Sequence, residues 1–301
     1  MKMNIYGFGN ALIDLEFKVS EEDILEIGIP KGSMKHLNGD ERDHLLKRFT
    51  DNHSNTSAGG SIANSLDAAS LHDALCHFSC SLGYDERAQD FLEEFKSVET
   101  SFKVSDKPTG ICFIFITPDG ERTMAASLDA NYDLIPECLN VTALKKSDVL
   151  VFDSFSITTA NGFKTVQAAI EETKGSTTEL VYGLADSSLI KANIDKISWL
   201  IDNSLNCIVG NQNEINELKK LTDLDSINIL TTKGPLGASF NELNLPAKKV
   251  LSINTNGAGD ALLGVYLARK GEDGIKIALQ KAIAYASKTC TTGGPRIKNA
   301  T

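Results

Sequence analysis

Short apolar runs and amphipathic segments alternate along most of the chain. The runs at residues 75–81, DVLVFDSF, ELVYGLAD, LNCIVG and INILTT predict buried β-strands, and segments such as 60–72, ERAQDFLEEF and EINELKKL predict helices between them. This alternation indicates a mostly parallel sheet covered by helices on both faces, a three-layer, doubly wound α/β fold. No internal repeat or long linker interrupts the pattern, so we expect a single domain over residues 1–301.

Two segments break the alternation and predict extra strands. In LEFKV, residues 15–19, apolar and polar positions alternate, which predicts a strand with one apolar and one solvent-facing side. In TGICFIFITPDGERTMAA two extended runs flank the turn signature Pro118, Asp119 and Gly120, which predicts a hairpin. We expect these strands to form a small lid sheet, from segments of about 12–38 and 104–130, that excludes water from a site.

The charge balance excludes some classes of partner. The formal net charge is −10, whereas a general nucleic-acid binder or a protein bound to anionic membranes needs a basic face. The first residues lack the apolar segment of a signal peptide, and no apolar run approaches the roughly 20 residues that span a bilayer. We therefore expect a cytoplasmic protein without nucleic-acid or membrane partners.

The six cysteines are scattered along the chain, which suits a reducing compartment. On a helix, His72, Cys76 and Cys80 would share one face and suggest a metal site. The apolar, aromatic run that contains both cysteines instead predicts a buried strand, on which Cys76 and Cys80 would lie roughly 13 Å apart. We favour the strand and expect no metal at these residues.

The segment NTNGAGDALLGVYLA suggests an anion site with a base beside it. Glycine lets successive backbone N–H groups converge, and a following helix adds unpaired donors and the positive end of its dipole. Gly257, Ala258 and Gly259 would form this cradle, and a site that only binds an anion would avoid the adjacent carboxylate of Asp260. Because the Walker sequence GxxxxGK[ST] is absent, we expect this cradle to be the phosphate site, with the adjacent carboxylate as a base.

Two further motifs carry candidate residues for a polar ligand. GFGNAL imitates a dinucleotide fingerprint, but its third glycine is missing and a strand pattern follows where a helix is required. Asp14, just beyond it, is either a turn residue or a group at the ligand crevice. In SAGGSIANS, Gly59 and Gly60 allow close approach, and the Asn64 amide can bind a hydroxyl, although an ordinary helix start explains the same residues.

The later motifs suggest a nucleotide side. In NQNE, Asn211 and Glu214 form a capping box, and the same pair could organise water around Mg²⁺. In TTKGPLGA, Thr232, Gly234 and Gly237 predict a turn that approaches a phosphate or nucleotide, or a hairpin in which ASFNEL pairs back.

Taken in order, these motifs resemble the ribokinase-like, or PfkB, family of carbohydrate and nucleoside kinases. The resemblance covers nearly the whole chain, and the opening GNALID together with the ERTM hairpin looks most like bacterial adenosine kinases and adenosine-kinase-like sugar kinases. It implies a ribokinase-like fold with ATP and Mg²⁺ as cofactors, and possible use of a monovalent cation. The residues it implies are Asp260 as base, Gly257, Ala258 and Gly259 as anion hole, Asp14, Gly59, Gly60 and Asn64 for sugar hydroxyls, Asn211 with Glu214 near Mg²⁺ through water, and Thr232, Gly234 and Gly237 for the nucleotide.

The chain also departs from the family pattern. Asn254 stands where the family motif usually begins with Asp, Asn256 is unusual beside the glycines, and the closing TCTTGGPRI is atypical. The main hypothesis is an ATP-dependent kinase acting on a primary hydroxyl of a sugar or nucleoside, with adenosine as the first acceptor. The alternatives are a kinase for a phosphorylated sugar, a non-catalytic binding protein on the same fold and, more distantly, a dinucleotide oxidoreductase. A homodimer formed through an apolar face of the lid is also predicted.

Overall fold

The structure is a computed structural model, and it describes residues 2–49, 53–203, 205–292 and 294–297. Two sheets organise this part of the chain. The large sheet has the strand order β14-β13-β12-β11-β10-β9-β1-β5-β6. Its strands are β1 (Asn4–Phe8), β5 (Leu75–Gly83), β6 (Glu99–Ser105), β9 (Val149–Asp153), β10 (Glu179–Gly183), β11 (Cys207–Asn211), β12 (Asn228–Thr232), β13 (Ala238–Phe240) and β14 (Leu243–Leu245).

Helices cover both faces of the large sheet, as the alternation of strands and helices predicts. The helices are α1 (Glu21–Ile27), α2 (Gly39–Phe49), α3 (Ser61–Ser70), α4 (Glu86–Glu94), α5 (Val141–Leu144), α6 (Ser154–Thr158), α7 (Ala160–Thr173), α8 (Ser187–Ala192), α9 (Ile194–Asp202), α10 (Gln212–Lys219) and α11 (Ala258–Thr289), the last interrupted at Gly274. Neighbouring strand residues enter opposite cores: Ile5 packs with α3, α4 and α11, and Tyr6 packs with the helices of the other face. The three-layer α/β/α fold is therefore confirmed.

The order of strands in the large sheet has a switch point at β1. The strands β1, β5 and β6 extend the sheet in one direction, and β9 to β12 extend it in the other, all in parallel. In open α/β sheets, ligands bind outside the carboxyl ends of the strands at such a switch point. The carboxyl ends of β1 and β9, at Phe8 and Asp153, lie at this position.

The small sheet forms the lid, with the order β3-β8-β7-β2-β4. Its strands are β2 (Leu12–Lys18), β3 (Met34–His36), β4 (His53–Gly59), β7 (Gly110–Ile116) and β8 (Arg122–Ser127). The predicted hairpin is confirmed, because β7 and β8 pair antiparallel around a turn in which Gly120 has a φ of 83°. The strand β2 begins where a dinucleotide fold requires a helix, which agrees with the rejection of that reading.

Two features of the lid differ from the sequence-based expectations. Apolar α1 and α2 residues cover the face that carries Phe17, so the apolar lid face on which the predicted homodimer rested is already packed. On the opposite face of β2, Lys18 is exposed, whereas Glu16 is only 6% exposed. The predicted solvent-facing side is therefore exposed only in part. The homodimer itself remains a prediction.

Within the described ranges, no helix combines the length and hydropathy needed to cross a membrane. Cys76 and Cys80 lie on β5, as the apolar run predicts, and His72 lies beyond the end of α3.

Candidate active site

The first turn of α11 places Asp260 at the centre of the site. Gly257 is the N-cap with a φ of 73°, and the helix begins at Ala258. The N–H groups of Gly259 and Asp260 have no acceptor in the described part of the chain, whereas Ala258 N–H donates to the Thr255 carbonyl at 3.3 Å. Unpaired donors at a helix start favour an anion, so this turn can hold a phosphoryl group.

Helix α3 supplies two hydrogen bonds to the Asp260 carboxylate. Ser61 Oγ donates to Oδ1 at 2.6 Å, and Asn64 Nδ2 donates to Oδ2 at 3.1 Å. Burial raises the pKa of Asp260, while these two bonds and the charge of Arg296 lower it. The carboxylate is thereby held in one orientation, and its raised pKa makes it a better proton acceptor than an exposed aspartate.

The close packing of α3 and α11 makes these bonds possible. A Cβ on Gly264 would lie 1.9 Å from the Ser65 carbonyl oxygen, so only glycine permits the approach of the two helices. In the sequence, Gly264 is one position of the apolar segment that follows Asp260. Its role depends on a partner almost 200 positions away, and no local pattern reveals it.

Asp14 forms the lid side of the site. It lies on β2 opposite Ser57 of β4 and beside Cys112 of β7, and its carboxylate packs against Gly59. It accepts no hydrogen bond from the described residues, so its lone pairs remain available to a ligand. Burial raises the pKa of Asp14 to about 7, and the charge of Arg296 opposes this rise.

Gly60 joins the lid strand β4 to helix α3. Its φ of 106° suits glycine alone, and a Cβ there would lie 2.1 Å from the Asn10 carbonyl oxygen. The predicted residues Asp14, Gly59, Gly60, Asn64 and Asp260 are therefore brought together around one crevice.

A cavity opens beside the start of α11. It has a volume of about 640 Å³ and is mostly apolar. Of the residues predicted for the nucleotide, Asn211, Thr232, Gly234 and Gly237 line it, together with Ala258 and Gly259. The loop after β12 is also a hairpin, since β12 and β13 pair antiparallel, which confirms that reading of TTKGPLGA. Contact of this loop with a nucleotide remains a prediction.

Glu214 is more enclosed than a direct metal ligand would be. It is 5% exposed, burial raises its pKa, and it does not line the cavity. Its Oε2 accepts from Asn211 N–H and its Oε1 from Asn211 Nδ2, both at 2.7 Å, while Asn211 Oδ1 accepts from Glu214 N–H at 2.9 Å. The capping box is thus formed. The carboxylate retains lone pairs for a water molecule, and this fits a magnesium ion bound through its hydration shell.

No group of three or more metal-ligating side chains occurs in the residues described.

Arg296 is a site residue that sequence analysis missed. Its Nε donates to Asn64 Oδ1 at 2.9 Å, and its guanidinium carbon lies 5.0 Å from the centre of the Phe95 ring. The preceding Pro295 packs against Gly257. The atypical closing segment TCTTGGPRI was the only signal available, and it gave no reason to select this arginine.

The fold and the glycine-led helix start are those of an α/β phosphotransferase with an alcohol group as acceptor. The family model described as pfkB family carbohydrate kinase matches residues 36–301, and the chain belongs to this family. Kinases of the family use ATP and Mg²⁺ and act on sugars or nucleosides.

The individual relatives share less than a third of their aligned residues with this chain. The chain is 27% identical to a ribokinase from Staphylococcus aureus over 262 residues, 78% of this chain and 83% of the relative. Among solved structures, an adenosine kinase from Sinorhizobium meliloti superposes with a TM-score of 0.88 at 20% identity, covering 99% of this chain and 96% of the other. A probable sugar kinase from Rhizobium etli gives 0.88 at 19% identity, with 98% and 96% covered. The structural likeness shows a shared fold.

Proposed function

We propose that this protein transfers the γ-phosphate of ATP to a primary hydroxyl of a nucleoside or sugar, with Asp260 as general base. The proposal rests on the position of Asp260, which lies between a cavity and the polar side chains of Asp14 and Asn64. Its neighbour Gly259 lines the 640 Å³ cavity, and its own carboxylate meets the crevice that contains Asp14 and Asn64. A nucleotide on one side and an acceptor on the other would meet at this carboxylate.

The proposed chemistry needs little beyond alignment and charge stabilisation. Phosphoryl transfer depends mainly on positioning and electrostatics, with Mg²⁺ neutralising charge on the phosphates when it is bound. The unpaired N–H groups of Gly259 and Asp260 would bind the transferred group, and Asp260 would accept the hydroxyl proton as the new bond forms. Asn211 and Glu214 would hold the magnesium hydration shell.

Adenosine is the first acceptor to test. On the lid face that carries Asp14, the neighbouring residues Leu12, Cys112, Ile114 and Ala126 form an apolar cluster. A nucleoside offers an aromatic base, whose flat faces can pack on apolar side chains, as well as the ribose hydroxyls that a carboxylate can bind, whereas a bare sugar lacks the aromatic base. The S. meliloti structure, an adenosine kinase by its name, supports the same choice, and the S. aureus ribokinase supports a free sugar as the next candidate.

The test is a product-resolved assay with Mg²⁺-ATP against adenosine, inosine, guanosine, ribose, fructose and a fructose phosphate. We expect one phosphorylated product class and, in Asp260→Asn, a loss of turnover of about 10²–10⁴-fold with ligand binding retained. Normal turnover in Asp260→Asn would contradict the mechanism.

A negative assay also has a defined meaning. If a folded protein is stabilised against heat by adenosine or ATP and yields no product with any acceptor, a non-catalytic binding protein would replace the kinase as the best reading.

A further inference from the structure

The guanidinium of Arg296 is buried within a cluster of carboxylates and is only partly paired. Nε donates to Asn64, but Nη1 and Nη2 are buried and have no partner in the described part of the chain. Buried donors without acceptors are rare because each one loses its bonds to water. Stability alone therefore does not account for this placement, which points to a role in the adjacent site.

Arg296 controls the orientation of the Asn64 amide. An arginine N–H can only donate, so it must face the amide oxygen, and the amide nitrogen is then directed at Asp260. The distances agree: Arg296 Nε to Asn64 Oδ1 is 2.9 Å, and Asn64 Nδ2 to Asp260 Oδ2 is 3.1 Å. Asn64 therefore links the guanidinium to the carboxylate.

Arg296 also acts on the charge of the crevice. Its electrostatic partners are Asp14 on β2, Asp67 on α3, Glu94 on α4 and Asp260 on α11. Three further groups act on Asp14 or Asp260. Glu16 on β2 and Cys112 on β7 face Asp14, and Asp153 at the end of β9 faces Asp260. Burial lowers the pKa of Arg296, and the four carboxylates oppose that shift, which favours the charged guanidinium.

We propose that Arg296 is a positioning residue for phosphoryl transfer: it holds the Asn64 amide toward Asp260, and its charge allows Asp14 and Asp260 to work as anions in a buried crevice. This inference rests on the proposed kinase function. Its direct effect, however, falls on two side chains of this protein and can be measured without turnover.

The sign of the effect follows from the charges. Burial raises the pKa of Asp14 to about 7, and Arg296 lowers it. Removing the positive charge raises that pKa further, so a larger fraction of Asp14 is protonated at neutral pH. A protonated Asp14 has fewer lone pairs for acceptor hydroxyls, and a protonated Asp260 cannot act as a base.

Two variants of Arg296 separate charge from geometry. Arg296→Gln removes the charge, and we expect the acidic limb of the kcat/KM profile to move up by about one pH unit, with about tenfold lower kcat/KM at pH 7 and recovery toward pH 9. Arg296→Lys keeps the charge but not the directed Nε–H, so the limb should stay in place while kcat falls. A uniform loss with an unmoved limb in Arg296→Gln, or no loss at all, would overturn the proposal.

A third variant keeps the test decisive if Arg296→Gln fails to fold. Glu94 raises the pKa of Asp14, so Glu94→Gln should move the acidic limb in the opposite direction, to lower pH. Gln retains an oxygen that can accept from Ala58 N–H, the bond that Glu94 Oε2 makes at 3.1 Å. An upward shift in Glu94→Gln would contradict the role of charge balance.

A titration without substrate distinguishes this inference from the proposed function. Carboxyl ¹³C NMR of the wild type and Arg296→Gln, with Asp14→Asn and Asp260→Asn used for assignment, reports both pKa values directly. If no acceptor is phosphorylated but the Asp14 pKa still rises in Arg296→Gln, the kinase proposal fails and the role of Arg296 stands. Unchanged carboxyl pKa values in a fully active enzyme would remove the role of Arg296 and leave the kinase proposal intact.

Discussion

Asp14 lies so close to Gly59 that a Cβ on the glycine would be 2.3 Å from Asp14 Oδ1 and 2.6 Å from Oδ2. The two residues are on neighbouring antiparallel strands of the lid, and the absence of a side chain at Gly59 provides the space for the carboxylate. The position of the carboxylate is therefore set by a residue that makes no polar contact with it.

Gly59→Ala should displace Asp14 and weaken acceptor binding. Because the clash involves the end of a rotatable side chain, the fold should tolerate it, with a change in unfolding free energy below about 1 kcal/mol. We expect kcat/KM to fall at least about tenfold, mainly through KM, in steady-state kinetics with the acceptor that the product-resolved assay selects. Gly39→Ala is the matched control, since a Cβ at Gly39 meets nothing within 4 Å. Equal kinetics in the two variants would show that Asp14 does not bind the acceptor.

The two glycines before Asp260 should respond differently to alanine. Gly257 has a φ of 73°, and its Cβ would lie 2.6 Å from Pro295 Cβ, so Gly257→Ala should lower the unfolding free energy by about 1–3 kcal/mol. A Cβ on Gly259 meets nothing within 4 Å, and alanine favours a helix, so Gly259→Ala should leave stability unchanged or raise it by about 0.5–1 kcal/mol. Urea unfolding measures both.

Turnover in Gly259→Ala then tests the anion hole. Since Gly259 lines the cavity, a methyl group there should crowd the phosphoryl group and reduce kcat in a folded, stable protein. A variant with wild-type kcat would argue that the transferred group binds elsewhere.

Gly264→Ala should force α3 and α11 apart. Its Cβ would lie 1.9 Å from a backbone oxygen, which cannot rotate away, and we expect a loss of about 1–3 kcal/mol in unfolding free energy. Turnover should fall as well, because Ser61 and Asn64 move away from Asp260. Gly271→Ala on the same helix is the control: its Cβ would meet the flexible Met3 thioether at 2.5 Å, and Met3 can adapt. Similar losses in both variants would disprove the specific role of the helix contact.

Asp153 should make stability depend on pH. It is 2% exposed at the end of β9, and burial raises its pKa from 3.8 to about 7. Between these values the folded state binds more protons than the unfolded state, so its contribution to stability is full at low pH and is lost as pH rises through 7. Asp153→Asn keeps an acceptor for the Ser156 N–H bond of 3.1 Å and removes the titration.

We therefore expect Asp153→Asn to stabilise the fold by about 2 kcal/mol at pH 8 and to have little effect at pH 4. Thermal unfolding across this pH range measures it, with the exposed Asp90→Asn as control. A variant that is less stable than the wild type at pH 8 would show that the ionised carboxylate is needed by the fold.

Features with a local signal were predictable from the sequence. The hairpin of β7 and β8 follows from two apolar runs around Pro118–Gly120, and the capping box of Asn211 and Glu214 from their spacing of three. The helix start at Ala258 follows from glycines before an apolar helical segment. In each case the residues that determine the structure are neighbours in the chain.

Features that depend on distant partners were not predictable. The strand β4, HSNTSAG, has no apolar alternation and forms because β2 supplies its pairing partner. Glu16 is 6% exposed although it occupies a polar position in the alternation of LEFKV. Arg296 reaches Asn64 across 232 positions. A single sequence does not show which distant residues come into contact. The carboxylates of the site could therefore be predicted in part, whereas the arginine beside them could not.

The direct passage from β4 into α3 has a consequence for kinetics. Gly59 leaves the space that the Asp14 carboxylate occupies on the lid, and two residues later the chain begins the helix whose Ser61 and Asn64 bind Asp260. A movement of the lid would therefore be transmitted through Gly60 to the Asp260 carboxylate. Under the proposed function, binding of the acceptor by Asp14 and orientation of the base would then occur in one step.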